Sequence, residues 1–329
     1  MRRILTYATA VLLPLALATA VLMLSRPRLD EVLRDVLPSD AVKETGLRAT
    51  YFGISTLLIS DGETNILIDG YFTRLHSPLD AILNRRIVPD EAAIETVLAS
   101  AGIDHLDAVL VQHSHFDHAL DAPHVAARTG AVLMGSESTL NIARGAGLDP
   151  ASMRPFTPGE PVAVGAFTLT VLPSRHVALP VGGDSIGKTI DRPLIPPARL
   201  WDYVEGGTYA FLLSHPMGRI LFHGSAGWRP GQYDDIRADI LFLGVGGLDA
   251  RDKERLDAYV AAVADASGAR LVIPIHFEDL FPGADFPRLP MRAMGDAGRL
   301  IDELARRLPG RFGMLAYGRP TPLVPPARP

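Results

Sequence analysis

Three histidines and an aspartate crowd into the run Val111-Gln-His-Ser-His-Phe-Asp-His118, directly after the apolar, β-branched residues Ala108-Val-Leu. A buried strand is the natural reading of residues 108–112, so the cluster opens just past a strand's C-terminal end. Polar groups can converge there without disturbing a core. On an extended segment, residues i and i+2 face the same way, so His113 and His115 present their imidazoles together. Neutral imidazole and carboxylate are the ligands that zinc, iron and manganese accept. A solvated loop or a hydrogen-bonded core residue would account for one histidine. The ordered spacing His-x-His-x-Asp-His, on the end of a strand, asks for a metal site carried by a sheet.

Two later histidines repeat the placement. His176 closes the strand-like segment Phe167-Thr-Leu-Thr-Val-Leu-Pro-Ser-Arg-His176, and His276 closes Leu271-Val-Ile-Pro-Ile-His276. With these in the same order, the chain resembles the metallo-β-lactamase superfamily over roughly residues 48–280. That resemblance implies an α+β fold, a four-layer αββα sandwich with the metals along one edge of two sheets. It further implies that His113, His115 and His176 hold one metal, and Asp117, His118 and His276 a second. One or two divalent ions are expected, zinc first, with iron or manganese as alternatives.

Thr50 to Ile59 and Asn65 to Asp69 read as two strands around the turn Asp61-Gly62. Superfamily members similar to ascorbate-6-phosphate lactonase and N-acyl phosphatidylethanolamine phospholipase D open in this way. Asp69 ends its strand near the expected site and could orient a metal-bound histidine, or simply cap the next turn. One position departs from the family. A metal-bridging aspartate is expected after a strand-ending glycine, but the segment Arg219-Ile-Leu-Phe-His-Gly-Ser-Ala-Gly227 offers Ser225. A hydroxyl is a weaker ligand than a carboxylate and neutralises two close dications less well. The site could hold one metal, or two bridged by solvent that Ser225 bonds, or another group could substitute. His223 is the nearest such group and Asp279 a more distant one.

The N-terminus carries its own signal. Met1-Arg-Arg3 precedes Ile4 to Leu24, 21 residues without a charge and long enough to span a bilayer. The arginines favour a cytoplasmic N-terminus. Ala18-Thr-Ala20 has the spacing of a signal-peptidase site, but Val21-Leu-Met-Leu24 continues the apolar run past it. The reading is an uncleaved anchor in residues 1–28, with a secreted, cleaved form as the alternative; both place the catalytic domain outside the cytoplasm. Residues 29–46 read as a connector, 47–320 as the hydrolase domain and 321–329 as a loosely ordered Pro-rich tail.

Net charge is −5, and residues 1–28 hold four arginines and no acid, which leaves −9 for the remainder. So acidic a domain is a poor match for a phosphate backbone, so no nucleic-acid partner is expected. With no cysteine in the chain, disulfides, thiolate ligands and iron–sulfur clusters are excluded. Between His176 and the strand Thr208 to Leu213 lies a long Pro-containing segment. It would hang over the site, with Leu194, Ile195, Leu200 and Trp201 as an apolar wall or as plain packing. Gly244-x-Gly246-Gly247 lacks the spacing of a dinucleotide loop. Lys253 to Ala266 and Asp296 to Leu308 read as helices.

The expected chemistry is metal-assisted hydrolysis. An ion held by neutral imidazoles keeps its charge and brings the pKa of water toward ~7. Asp117 would orient the nucleophile, shuttle a proton or bind a second ion, and His223 is a candidate partner for the developing oxyanion. An ester, lactone or phosphodiester of a small or lipid-like substrate is the expected target. The alternative is a catalytically silent metal- or ligand-binding protein that lost turnover with the bridging aspartate.

Overall fold

The computed structural model describes residue 21 and residues 24–39, 46–178, 183–280, 287–292 and 295–325. Among the described residues there are fifteen short strands, most of them apolar runs. The first seven are β1 (Arg48–Gly53), β2 (Thr56–Ser60), β3 (Asn65–Ile68), β4 (Arg86–Ile87), β5 (Ala108–Leu110), β6 (Val132–Gly135) and β7 (Met153–Pro155). There follow β8 (Val162–Val164), β9 (Phe167–Pro173), β10 (Ala198–Arg199) and β11 (Tyr209–His215). The last four are β12 (Gly218–His223), β13 (Ile240–Gly244), β14 (Leu271–Ile275) and β15 (Thr321–Pro322). One sheet has the order β15-β1-β2-β3-β5-β6-β7 and the other β14-β13-β12-β11-β9-β8, while β10 and β4 form a separate ribbon.

The pleat distributes neighbouring residues to two cores. Ile66, Ile68, Leu110 and Met134 join the core that also contains Leu169, Val171, Phe211 and Leu221 of the second sheet. Leu67, Val109, Val111 and Leu133, one residue out of phase, join the other core. That second core also holds Ile94 and Leu98 of the helix Glu91–Ala101, Val125 of Ala122–Thr129 and Leu140 of Glu137–Gly145. Period-2 alternation in strands buried on both faces is what a sheet between a helix layer and another sheet requires. Leu256 and Tyr259 of the helix Lys253–Tyr259, and Leu300, Ile301 and Leu304 of Ala297–Arg307, pack with the first core. The layers are helix, sheet, sheet, helix.

Strand direction sets the position of the site. β3, β5 and β6 run parallel, as do β12, β13 and β14. β9 is antiparallel to β11, which is antiparallel to β12, so β9 shares the direction of β12. Residues just past β3, β5, β9, β12 and β14 therefore emerge along one edge, at the carboxyl ends where α/β sheets gather ligands.

Three expectations need correction. Thr50 to Ile59 is two strands, because the chain reverses at Gly53-Ile54, where Ile54 takes a φ of 56°. A β-branched residue is strained there. The turn is held by Tyr51 Oη donating to Ile54 O (2.8 Å) and Ile54 N donating to Glu278 Oε2 (3.1 Å). The tail is not loose throughout, since Thr321–Pro322 pairs with Arg48 and Ala49 and Leu323 N donates to Leu47 O (2.8 Å). Proline is tolerated because β15 is an edge strand. The helix begun at Lys253 changes to a π-helical turn at Val260–Asp265. The apolar N-terminal run lies outside the described residues apart from Val21 and Leu24, and no described helix is long and apolar enough to cross a membrane.

Candidate metal centre

His113, His115 and His176 bring one ring nitrogen each to a common point. His113 Nε2 lies 3.0 Å from His115 Nδ1 and 3.2 Å from His176 Nε2. Beside them, Asp117 Oδ2 lies 3.5 Å from His118 Nε2 and 3.3 Å from His276 Nε2. The two groups adjoin, with the rings of His113 and His118 3.9 Å apart. In each group the potential ligand atoms all fall within 4.8 Å of one another. The six residues singled out in the sequence are thus brought together as two triads.

The outward nitrogens explain why the inward ones are free to bind. His176 Nδ1 lies 2.6 Å from Val177 O, an acceptor only, so Nδ1 carries the proton and Nε2 presents a lone pair. His118 Nδ1 lies 2.8 Å from Asp69 Oδ2, which assigns its proton in the same way. Ser55 Oγ donates to Asp69 Oδ2 (2.6 Å), and Gln112 N donates to Asp69 Oδ1 (2.9 Å). Asp69 is therefore a positioning residue and not merely a turn cap. His115 Nε2 meets Ser185 Oγ at 2.9 Å, leaving Nδ1 facing the triad. Asp69 and His276 both have positive φ, 61° and 63°, a conformation held here by Asp69 N donating to Leu110 O (2.7 Å) and His276 N to Tyr51 Oη (3.1 Å). Non-glycine residues in this region concentrate at functional sites.

Electrostatics sort the side chains into donors and anions. Burial, reinforced by the neighbouring imidazoles, pushes His113 well below the ordinary histidine value and His115 down to about 3. Burial lowers His176 too. These three rings are neutral at physiological pH, with lone pairs converging and no anion between them. Burial opposes the charge on Asp117, but His118 and His276 outweigh it and hold the carboxyl below its usual range. Burial likewise opposes a charge on His118, and the carboxylates of Asp117 and Asp69 overcome it. A neutral three-nitrogen cluster beside an ionised carboxylate with two imidazoles is a donor set that fits divalent cations.

Both triads sit in a cavity of about 490 Å³ whose lining includes Trp201, Val177, Leu248, Phe277 and Leu280. Asp249 and Arg251 also line it, paired with each other at 2.7 Å. Of the four apolar residues expected to wall the site, only Trp201 does so. Leu200 is buried in the core, Leu194 packs against it, and Ile195 is exposed. A wider depression of about 680 Å³, lined by Thr73, Arg74, His76 and Glu91 among others, shares no lining residue with this cavity.

Ser225 lines the cavity, and its Oγ accepts from Val177 N at 3.1 Å, which braces the residue after His176. His223 does not reach the triads. Its Nδ1 bonds Tyr233 Oη at 2.6 Å, and the ring is buried against Tyr233 and Tyr259, so it is neither a substitute ligand nor an oxyanion donor. Asp279 lines the cavity but pairs with Arg26 at 2.5 Å. Gly246 belongs to no dinucleotide loop; a Cβ there would stand 2.8 Å from His276 Nδ1, so the glycine makes room for the ring. Ser55, Ser185, Tyr51 and Glu278 were not legible as site residues, because each comes from a segment without metal-ligand spacing. Glu278 is buried, which raises it to about 7, and its Oε1 lies 2.6 Å from Tyr51 Oη.

A beta-lactamase superfamily domain model matches residues 48–276. The chain belongs to the metallo-β-lactamase superfamily. Among curated relatives, a UPF0173 metal-dependent hydrolase of Rubrobacter xylanophilus is 26% identical over 254 residues, covering 74% of this chain and 85% of that protein. Another, of Heliobacterium modesticaldum, is 34% identical over 90 residues, 27% of this chain and 30% of that protein. This chain is a metal-dependent hydrolase. Solved structures agree on the fold. Igni18, a metallo hydrolase from Ignicoccus hospitalis, aligns with a TM-score of 0.52 at 17% identity, covering 84% of this chain and 97% of its own. An isothiocyanate hydrolase from Delia radicum gut bacteria gives 0.53 at 15%, covering 84% and 99%. CmlA, a diiron β-hydroxylase from Streptomyces venezuelae, gives 0.52 at 13%, covering 85% of this chain and 54% of that one.

Proposed function

We propose that the two triads hold divalent ions, and that the chain hydrolyses an ester, lactone or phosphodiester bond in a small or lipid-like substrate. The observation that carries this reading is the convergence of three neutral imidazole nitrogens beside the Asp117 carboxylate in one partly apolar cavity. His113, His115 and His176 would bind one ion, and Asp117, His118 and His276 the other. Zinc suits a nitrogen-rich set of this kind, with iron or manganese as the alternatives. When bound, such an ion supplies Lewis acidity and a water that deprotonates near neutral pH.

The chain's own groups do the remaining work. Asp117 Oδ2 is held ionised and faces the cavity, so it can accept a proton from water or bind the second ion. Asp69 and the Val177 carbonyl fix the tautomers of His118 and His176. Trp201, Phe277 and Leu280 give the cavity an apolar side, which suits a substrate with a hydrophobic portion. The apolar N-terminal run would anchor the protein in a membrane with this domain outside the cytoplasm.

The test is metal stoichiometry of the purified protein together with turnover of generic ester and bis-aryl phosphodiester substrates. His113→Ala should lose the tightly held ion and turnover together. Metal bound without turnover on either substrate class would sink the hydrolytic assignment made for this site.

A further inference from the structure

Among the described residues, the short helix Pro78–Ile82 and the residue after it present three large apolar side chains to solvent. Leu79 is 54% exposed, Ile82 69% and Leu83 56%. Clustered apolar exposure on one element marks a contact surface more often than it marks chance. The helix is fixed rather than loosely attached. Ser77 Oγ accepts from Leu79 N, and Asp80 reaches back to Ser77 N at 2.9 Å, closing a capping box. Trp201 Nε1 donates to Ala81 O at 2.9 Å on the inner side. Ala81 and Trp201 both line the catalytic cavity, so the exposed triplet sits on the outer side of the cavity's own wall.

The neighbours of this helix tie it to the N-terminal run. Leu75 N donates to Leu280 O (3.4 Å), and Asp279, one residue earlier, pairs with Arg26. Arg26 also donates to Leu289 O (2.5 Å), and Arg292 N donates to Ser25 O (3.0 Å). Leu24 ends the 21-residue uncharged run only two positions before Arg26. The chain therefore leaves that run beside Asp279, a residue of the cavity lining. A third feature is charge. Although residues beyond 28 carry a net −9, exposed Arg86 and Arg199 face each other across the β4–β10 ribbon beside the apolar triplet, and exposed Arg85, paired with Asp80 at 3.2 Å, adjoins them.

We propose that the face carrying Leu79, Ile82 and Leu83, flanked by Arg85, Arg86 and Arg199, docks on an anionic lipid bilayer, so that the cavity opens at the headgroup level. The apolar side chains would enter the headgroup–acyl boundary while the guanidiniums meet lipid phosphates, the division of labour of an interfacial helix. A substrate with a lipid-like tail would then enter without crossing water. This inference rests on the anchored N-terminus of the proposed function, but not on its metal chemistry.

The absence of cysteine makes the test direct, since one introduced thiol takes one label. I82C places an environment-sensitive fluorophore on the docking face. M217C places it on the turn between β11 and β12, 62% exposed and at the end of β12 opposite Ser225. Each full-length variant is reconstituted in phosphatidylcholine–phosphatidylglycerol vesicles containing nitroxide-labelled lipid. Emission at I82C should shift to the blue and be quenched several-fold more than at M217C, in metal-loaded and metal-stripped protein alike. Vesicle-bound protein whose I82C label stays as water-accessible as M217C would overturn docking while leaving the anchor intact. Self-quenching between I82C labels without lipid quenching would assign the face to a second copy and equally overturn it.

Discussion

Asp69 is the residue on which the second triad leans, since it holds His118 Nδ1, Ser55 Oγ and the Gln112 amide at once. Asp69→Asn removes the charge that fixes His118 and should weaken the ion at Asp117, His118 and His276 by about 10–100-fold. Titration under chelator competition should show the His113 triad unaffected; equal losses at both would mean general damage instead. Ser225 leaves the pair without a shared carboxylate, so Ser225→Asp should move stoichiometry from about one equivalent toward two in the same titration. A wild-type protein already holding two ions tightly would contradict that. His223 supports a pH prediction. Burial lowers it to about 4, below the ordinary 6.5. The unfolded chain therefore takes up a proton that the fold refuses, so stability is present above pH 6.5 and is lost as pH falls toward about 4. The full swing is on the order of 3 kcal/mol. His223→Leu should flatten the pH dependence of the urea midpoint across that window, and an unchanged slope would refute the assignment. The six triad residues were readable because His113, His115, Asp117 and His118 follow one strand at a fixed spacing, the last two on the short helix Phe116–Ala119, while His176 and His276 each follow a later strand. Ser55 and Ser185 were not, because a serine's pairing with a distant histidine leaves no local pattern.

At the scale of elements, the ligands depend on close approaches between loops. A Cβ on Gly227 would stand 2.5 Å from both Arg175 O and His176 O, which are backbone atoms that cannot step aside alone. Arg175 and Gly227 also form an isolated antiparallel bridge. Gly227→Ala should therefore displace the His176 segment. A cost of about 1–3 kcal/mol in stability is expected, with a larger fractional loss of metal affinity than of folding. Thermal unfolding of apo and loaded protein separates the two, and an unshifted affinity would show that the bridge tolerates a methyl group. The sequence pattern located most strands because alternating or continuous apolar runs are themselves the cause of burial. It merged β1 with β2 because Ile54 is β-branched and apolar, and nothing local reveals that Tyr51 and Glu278 force it into a turn. It missed β15 because a Pro-rich end gives no propensity, and only the free edge of β1 makes Thr321 worth burying.

For the whole molecule, the four-layer order could be expected from the histidine spacing and the family it resembles, while the cavity's shape could not. The long segment after His176 does reach the site, but through Ser185 and Trp201 rather than through the run of aliphatic residues. Which of its side chains turn inward is decided by tertiary contacts such as Trp201 N to Asn84 Oδ1 (2.9 Å), not by hydropathy. The remaining large-scale question is where this domain sits. An uncharged run of 21 residues is long enough to cross a hydrocarbon core of about 30 Å as a helix, and the anchor proposed for it would hold lipid without ion pairs. Full-length protein should therefore sediment with membranes and stay there through a high-salt wash, whereas a protein bound only through Arg85, Arg86 and Arg199 would be released by screening. Detergent should free it. N-terminal sequencing of the membrane fraction should begin at Met1 or shortly after it. Recovery of a soluble chain starting at or near Val21 would replace the anchor with a cleaved signal peptide, and would leave the triads and their chemistry to stand by themselves.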